Sequence, residues 1–410
     1  MSTFNEKLEK YAELIVKVGV NVQPDQKVVI NSSVESAPLS RLITKKAYEV
    51  GASDVIINWA DEEITLLRYQ NSPIEIFEKA ALHRATERIE LAHENAVFIS
   101  IVSENPDLLK GVDGKKIAAN QKAMGQALEE FRQMIQSNAI SWTVVGAASE
   151  GWAAKVFPDL PHAEQVPALW EVIFETTRMN TADPIQTWKN HDETLNNKAA
   201  YLNEQQYSAL HYTAPGTDLT IGLPKDHVWV GAGSYNKQGK EFMANMPTEE
   251  VFSCAEKTSV NGYVSSTKPL SYAGNIIDKF KITFKDGRIV DVVAEQGEDI
   301  LKDLVATDEG SHYLGEVALV PDPSPISQSG ILFYNTLFDE NASNHLAIGS
   351  AYAFNIKGGE DMSREELEKA GVNSSMTHVD FMIGSDKMNI DGITASGDKV
   401  PVFRNGDWAF

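Results

Sequence analysis

Six residues between Glu316 and Asp380 could act together: Glu316, Glu340, His345, Tyr352, His378 and Asp380 form a string of metal-ligand and acid–base candidates. Carboxylate oxygen and neutral imidazole nitrogen are the donors of a hydrolytic Zn²⁺, Co²⁺ or Mn²⁺ centre. His378 and Asp380 are separated by one residue, so an extended segment sends both to one face, where they could ligate a metal or form a buried hydrogen-bonded pair. Glu316 leads into the apolar run Val317–Val320, a candidate buried strand. A carboxylate at that position is costly unless it is paired or metal-bound. The polar run from Asp339 to His345 lies between Leu337-Phe338 and Leu346-Ala347-Ile348. It reads as a helix cap leading to a helical His345, or as a ligand cluster. The spacing of Glu340 and His345 neither excludes nor demands shared ligation.

Upstream, the string NMPTEE at 245–250 places two carboxylates before Val251 and Phe252. In a strand Glu249 and Glu250 point to opposite faces, so at most one of them enters a site, Glu250 being the favoured one, while the string taken alone reads rather as a solvated acidic pair. His312 would share a helical face with Glu316, but Gly315 between them argues against a helix. Two cofactor motifs are absent. Gly231, Gly233, Gly239 and Lys240 imitate a phosphate loop, but the spacing is one residue too long and Glu241 stands where Ser or Thr should bind Mg²⁺. The segment Asn31–Ala37, after the first strand candidate, lacks the glycines of a dinucleotide fingerprint.

The elements that must position these groups fall into two textures. In the first half Phe4, Leu8, Tyr11, Leu14, Ile15 and Val18 repeat at helical spacing, and Val28–Ile30 follows as a buried strand. Ser36 and Pro38 start a helix carrying Leu39, Leu42, Ile43 and Ala47, Gly51 stops it, and Val55–Ile57 is the next strand. This βαβ unit, with further apolar strands at Val97–Val102 and Trp142–Val145, predicts an α/β N-terminal domain with a parallel sheet over 1–190. Beyond it, short alternating segments at Tyr207–Thr213, Leu219–Leu223, Val228–Val230, Phe280–Phe284 and Ile289–Val293 predict an α+β C-terminal domain over 191–410 with a mainly antiparallel sheet. Asp286-Gly287 marks a hairpin turn. Asp192–Gln205, Glu298–Val305 and Arg364–Ala370 read as helices, the last capped by Ser363.

The chain has 410 residues, more than one ordinary core accommodates, and a net charge of −22. That charge disfavours nucleic acid and anionic membranes as partners; it reads first as solubility, with a weak long-range steering of cationic ligands, including peptides with a free amine. Cys254 is the only cysteine, which excludes an intrachain disulfide and a thiolate metal cluster. Glu6, Glu9 and Glu13 interrupt the N-terminal segment where a signal sequence would be apolar, and no apolar run spans a bilayer. The expectation is a cytoplasmic protein.

In combination, NMPTEEVF at 245–252, the Tyr-Leu-Gly-Glu ending at Glu316, FDENASNHLAIG at 338–349, Tyr352 and His378-Val379-Asp380 resemble the M29 aminopeptidases, its aminopeptidase T and PepS-like members. The resemblance runs over essentially the whole chain. It implies a homodimeric, cytosolic aminopeptidase with a C-terminal catalytic domain and two divalent ions of Zn, Co, Mn or Mg. It further implies ligation by Glu250, Glu316, His345, His378 and Asp380, with Glu316 bridging, Glu340 in the same set, and Tyr352 as a catalytic phenol. A bridging hydroxide would attack the scissile carbonyl, and Glu316 or Glu340 would carry the proton to the leaving amine. Ser253-Cys254-Ala255 departs from the family strings and bears on the lining near Glu250. Two other readings use the same donors: a dinuclear hydrolase of another amide or a phosphoester, and a peptide-binding protein with a structural metal.

Overall fold

The computed structural model describes residues 3–231, 233–273 and 275–410. Two compact units divide the chain: Met1–His191 with Gly233–Pro247, and Asp192–Ala232 with Thr248–Phe410.

In the first unit the helix Phe4–Leu14 starts at a Thr3–Glu6 capping box and buries Leu8, Tyr11, Ala12 and Leu14 along one stripe. The strand Lys27–Ser33 follows, then the helix Ala37–Glu49, with Pro38 in its first turn and Leu39, Ile43 and Ala47 buried. Lys27–Ser33 pairs parallel to Asp54–Ala60 on one side and Val97–Val102 on the other. Trp142–Gly146 and Asn245–Met246 extend the parallel sheet to five strands. Val28–Ile30 and Val97–Ile99 are fully buried, as inner strands covered on both faces require. Each such aliphatic side chain contributes about 1.5–3 kcal/mol by leaving water.

The second unit is antiparallel. Its nine-stranded sheet runs Leu270–Tyr272, Asn275–Lys285, Val260–Ser265, Thr217–Gly222, Ala209–Ala214, Asn389–Ile393, Lys399–Arg404 and Asp407–Trp408, with Arg288–Gln296 paired beside Asn275–Lys285. That last hairpin turns at Asp286 and Gly287, both with positive φ (50° and 83°), as a type I′ turn needs. A separate sheet of four strands holds Val251–Cys254, Leu314–Leu319, His345–Gly349 and His378–Met382 in that order.

The expected succession of a parallel α/β layer and an antiparallel α+β region is what the chain forms. Three local expectations differ. Val228–Val230 is no strand; His227 and Val230 make isolated bridges to Ile356 and Phe252, because the segment crosses two elements rather than running along one. His345 opens a strand instead of lying in a helix, since its polar approach is used up in the short turns Thr336–Asp339 and Glu340–Ala342. The helix expected over Asp192–Gln205 begins earlier, spanning Pro184–Gln205. Among the described residues no helix is long and apolar enough to cross a membrane.

Candidate metal centre

One face of the four-stranded sheet collects the polar groups that the sequence spreads over 130 residues. Register decides which residues share that face. Phe252 stands opposite Ala318, Ala318 opposite His345, and His345 opposite Met382. The neighbouring row reads Cys254, Glu316, Ala347 and Asp380, and Gly349 opposes His378. Glu316, His345, His378 and Asp380 therefore project together, while Ala318, Ala347 and Gly349 between them take up little room. Gly349 is obligatory: its φ is +114°, and a Cβ there would lie 2.2 Å from the Thr377 carbonyl oxygen.

Glu250, one residue ahead of Val251–Cys254, brings Oε2 to 3.0 Å from His345 Nε2. Glu316 lies 3.5 Å from the same nitrogen through Oε1 and 3.7 Å from His378 Nε2 through Oε2. Asp380 Oδ1 is 3.5 Å from His378 Nε2. Two triads result, Glu250–Glu316–His345 and Glu316–His378–Asp380, each with one donor atom per residue lying within 4.8 Å of the others. Glu316 belongs to both. Glu340, buried in its turn, stands in neither triad, but its charge is felt by both through Asp380 and Glu250. The Tyr352 ring packs 5.0 Å from that of His378. His312 sits in the short turn Gly310–His312 and shares no face with Glu316.

Backbone carbonyls orient both imidazoles. His345 Nδ1 contacts the Ser343 oxygen at 3.2 Å, and His378 Nδ1 contacts the Ser350 oxygen at 2.7 Å. A carbonyl only accepts, so each Nδ1 carries the hydrogen and each Nε2 of a neutral ring presents a lone pair to the carboxylates. Lone pairs facing lone pairs are relieved by a cation between them. Asp380 Oδ1, buried, has no hydrogen-bond donor among the described residues either. Four buried carboxyl groups (Glu250, Glu316, Glu340, Asp380) beside two neutral imidazoles concentrate negative charge that a bound cation would offset. Left uncompensated, each like-charged pair at 4–5 Å would cost about 3–4 kcal/mol at an effective dielectric near 20. The residues fit a metal centre.

Proton affinities report the same crowding. Burial, helped by the Asp380 and Glu250 charges and opposed by His345 and His378, pushes the Glu316 carboxyl up to about 7. Glu340 rises well above the ordinary carboxylate value, through burial first and the Asp380 and Glu250 charges next. Burial alone would lower His345, but Glu250, Glu316 and Asp380 outweigh it and hold the ring well above its usual value. In His378, too, burial is overcome, here by Asp380 and Glu316. Tyr352 is pushed well above 10, by burial and then by the surrounding carboxylates, so its phenol stays protonated.

Several supporting residues carry no sequence signal of their own. Asn341, fully buried, accepts from the Glu249 N–H at 2.7 Å and donates to the Leu337 oxygen at 3.0 Å, tying the Glu250 segment to the Glu340 turn. Asn373 donates to the carbonyls of Gly310 (2.8 Å) and Gly349 (2.7 Å). Cys254 is buried opposite Glu316, its thiol pushed up to about 12 by burial, which leaves it a small apolar neighbour of the site. Only the polar runs around the two asparagines hint at their use.

Comparison with known proteins places this geometry in context. The family model described as thermophilic metalloprotease (M29) matches residues 4–408. Aminopeptidase AmpS of Bacillus subtilis is 64% identical over 410 residues, covering 100% of both chains. Aminopeptidase PepS of Streptococcus thermophilus is 52% identical over 409 residues, covering 100% of this chain and 99% of its own. The solved structure of wild-type AmpT from Thermus thermophilus superposes with a TM-score of 0.94 at 39% identity, covering 100% of each chain.

Proposed function

The chain belongs to the M29 family of metalloproteases and is a peptidase hydrolase, and on that premise we propose that it is an aminopeptidase releasing residues from the free N-terminus of peptides at a centre of two divalent cations. The observation that carries this reading is the pair of triads on one sheet face joined by the carboxylate they share. Glu250, Glu316 and His345 would hold one cation and Glu316, His378 and Asp380 the other, Glu316 being common to both sets. Zn, Co, Mn and Mg all suit oxygen and imidazole donors to differing degrees. Divalent cations bound there would supply Lewis acidity toward the scissile carbonyl and make a water molecule easier to deprotonate.

The chain's own groups do the rest. Tyr352, protonated, donates a hydrogen bond to the carbonyl oxygen as it gains charge, a contribution of about 2.7–4 kcal/mol for one well-placed donor. Glu340, beside both triads and in neither, takes up the proton that the attacking water loses and hands it to the leaving amine as the C–N bond breaks. The Nδ1–H bonds to Ser343 and Ser350 keep each imidazole lone pair on the reacting side. The acidic surroundings attract the substrate's α-ammonium. The lone buried Cys254 suits a reducing cytoplasm, and the family resemblance supports a homodimer. Sedimentation of the purified protein tests the latter.

Chelation should abolish hydrolysis of aminoacyl amides, and added Co²⁺ or Zn²⁺ should restore it with two ions bound per chain by elemental analysis. Full turnover in enzyme verified to be metal-free overturns the metal centre. Equal cleavage of peptides with free and acetylated N-termini overturns the aminopeptidase reading and leaves a different hydrolase.

A further inference from the structure

The residues of the two triads are not held equally. Glu316 and His345 stand in inner strands of the four-stranded sheet, each paired on both sides and buried along its whole length. His378 opens His378–Met382, an edge strand that pairs only with His345–Gly349, and its own partner there is Gly349. The residues leading to it, 374–377, are half-buried or, at Met376, exposed, so apolar packing does not fix them. A strand end with one neighbour and little burial is where local opening costs least. A ligand placed there needs a hold of another kind.

Asp308 supplies it from the turn that leads into Gly310–His312. Its Oδ1 accepts the Ser311 N–H at 2.8 Å, the Ser311 hydroxyl at 2.9 Å and the Ser375 hydroxyl at 2.7 Å, and its Oδ2 accepts the Met376 N–H at 2.6 Å. The Thr377 hydroxyl lies 2.9 Å from Ser311 Oγ and 3.1 Å from Ser375 Oγ, and the Thr377 N–H donates to Ser375 Oγ at 3.1 Å. A carboxylate only accepts, so both serine hydrogens point to Asp308 and the threonine hydrogen is left to point at a serine oxygen. One charge thereby sets the direction of every hydroxyl in the cluster. Gly310 lets the turn come this close, since a Cβ there would lie 2.1 Å from the Ser374 oxygen.

From Thr377 the hold passes to the imidazole. The Thr377 carbonyl accepts the Ser350 N–H at 2.7 Å, and the Ser350 carbonyl accepts the His378 Nδ1–H at 2.7 Å. Ser350 thus grips the peptide before His378 at one end and the ring at the other. Resting on the two-cation reading, we propose that Asp308 is a positioning residue for the reaction: with Ser311, Ser375 and Thr377 it clamps His378 in its ligating position and so sets the cation affinity of the Glu316–His378–Asp380 triad, while the Glu250–Glu316–His345 triad does not depend on it. Asp308 acts through Thr377 and Ser350 and not by contact with the triads. Asparagine cannot replace it. Whichever way the amide turns, its NH₂ faces the backbone N–H of Ser311 or that of Met376.

The test strips the full chain of metal and titrates it with Co²⁺ at neutral pH, in the native protein and in D308N, T377V and T377S. T377V removes the hydroxyl and keeps the branching, whereas T377S keeps the hydroxyl. In D308N and T377V one Co²⁺ per chain should bind about 10–100-fold more weakly, the usual loss when the support behind a ligating imidazole is removed, and the other as in the native protein. T377S should bind both as the native protein does. Peptidase kcat should fall at limiting Co²⁺ and recover in T377V at excess Co²⁺, with KM little changed. Native affinity at both positions in D308N or in T377V overturns the clamp, and where D308N does not fold the T377V and T377S pair decides. Equal weakening of both ions, or a loss in T377S matching that in T377V, overturns it in favour of a general support of the fold. Failure of the native protein to bind two ions would instead count against the two-cation reading, so the two failures are distinct.

Discussion

Replacing Asn373 by Ala should destabilise the protein and slow it at once. Asn373 is 1% exposed, and its side-chain amide spends both hydrogens on the carbonyls of Gly310 and Gly349 at 2.8 and 2.7 Å. Gly310 also accepts the Tyr313 N–H at 3.1 Å, so losing the asparagine there costs about 1 kcal/mol, an ordinary net hydrogen bond. The Gly349 carbonyl, at the strand end facing His378, loses a short bond in dry surroundings, which costs about 1–3 kcal/mol. Together the change removes about 2–4 kcal/mol from a stability of order 5–15 kcal/mol. The backbone bond from the Ala351 N–H to the Asn373 oxygen survives the substitution, so the Ser350–Tyr352 loop is loosened and not released. Urea unfolding should show a lower midpoint at an unchanged m value. Because the loop carries Tyr352 and the Ser350 carbonyl that orients His378, kcat should fall in N373A, and by less in a Y352F background. A stability loss below about 0.5 kcal/mol, or equal kcat losses in both backgrounds, refutes the reasoning.

Other expectations follow from the site and its supports. Tyr352→Phe should lower kcat about 10²–10³-fold with little change in KM, the mark of a hydrogen bond made in the transition state; a parallel rise in KM would point to ground-state binding instead. Glu316→Gln takes away the carboxylate common to both triads, so turnover should drop by orders of magnitude while circular dichroism stays native and bound metal falls; near-normal kcat removes Glu316 from the centre. Gly349→Ala must displace the Thr377 backbone, 2.2 Å from the new Cβ, and should both destabilise the fold and misplace His378, read as lower melting temperature together with lower metal content. Asp308 provides the pH-dependent case. Burial opposes its ionisation, but hydrogen bonds from Met376, Ser375 and Ser311 outweigh it and hold the carboxyl below its usual value. A depressed folded-state value means stability present above the unfolded pKa of about 3.9 and lost as pH falls through the folded one. Asp308→Asn should therefore flatten the fall in urea midpoint between about pH 5 and 2.5; an unchanged slope rejects this account.

The sequence alone determined the chemistry and the kind of element that carries it. Donor types are written in side chains, and strand periodicity is local. The pair His378 and Asp380 and the buried carboxylate ahead of Val317–Val320 were legible because a two-residue period and an apolar run need no distant information. The parallel order of the first half followed from βαβ patterning for the same reason. Tertiary structure decided what meets what. Register across four strands, from Val251–Cys254 to His378–Met382, places Glu316 in both triads and leaves Glu340 beside them, a relation no linear spacing encodes. The return of Gly233–Pro247 to the first unit is likewise absent from local patterning. His345 misreads as helical because its approach, rich in Asp, Asn and Ser, forms short capped turns in either case. Only pairing with Leu314–Leu319 and His378–Met382 draws it into a strand. The imidazole tautomers and the amide of Asn373 depend on carbonyls contributed by distant segments. Backbone acceptors are the same at every residue, so composition could not have marked them.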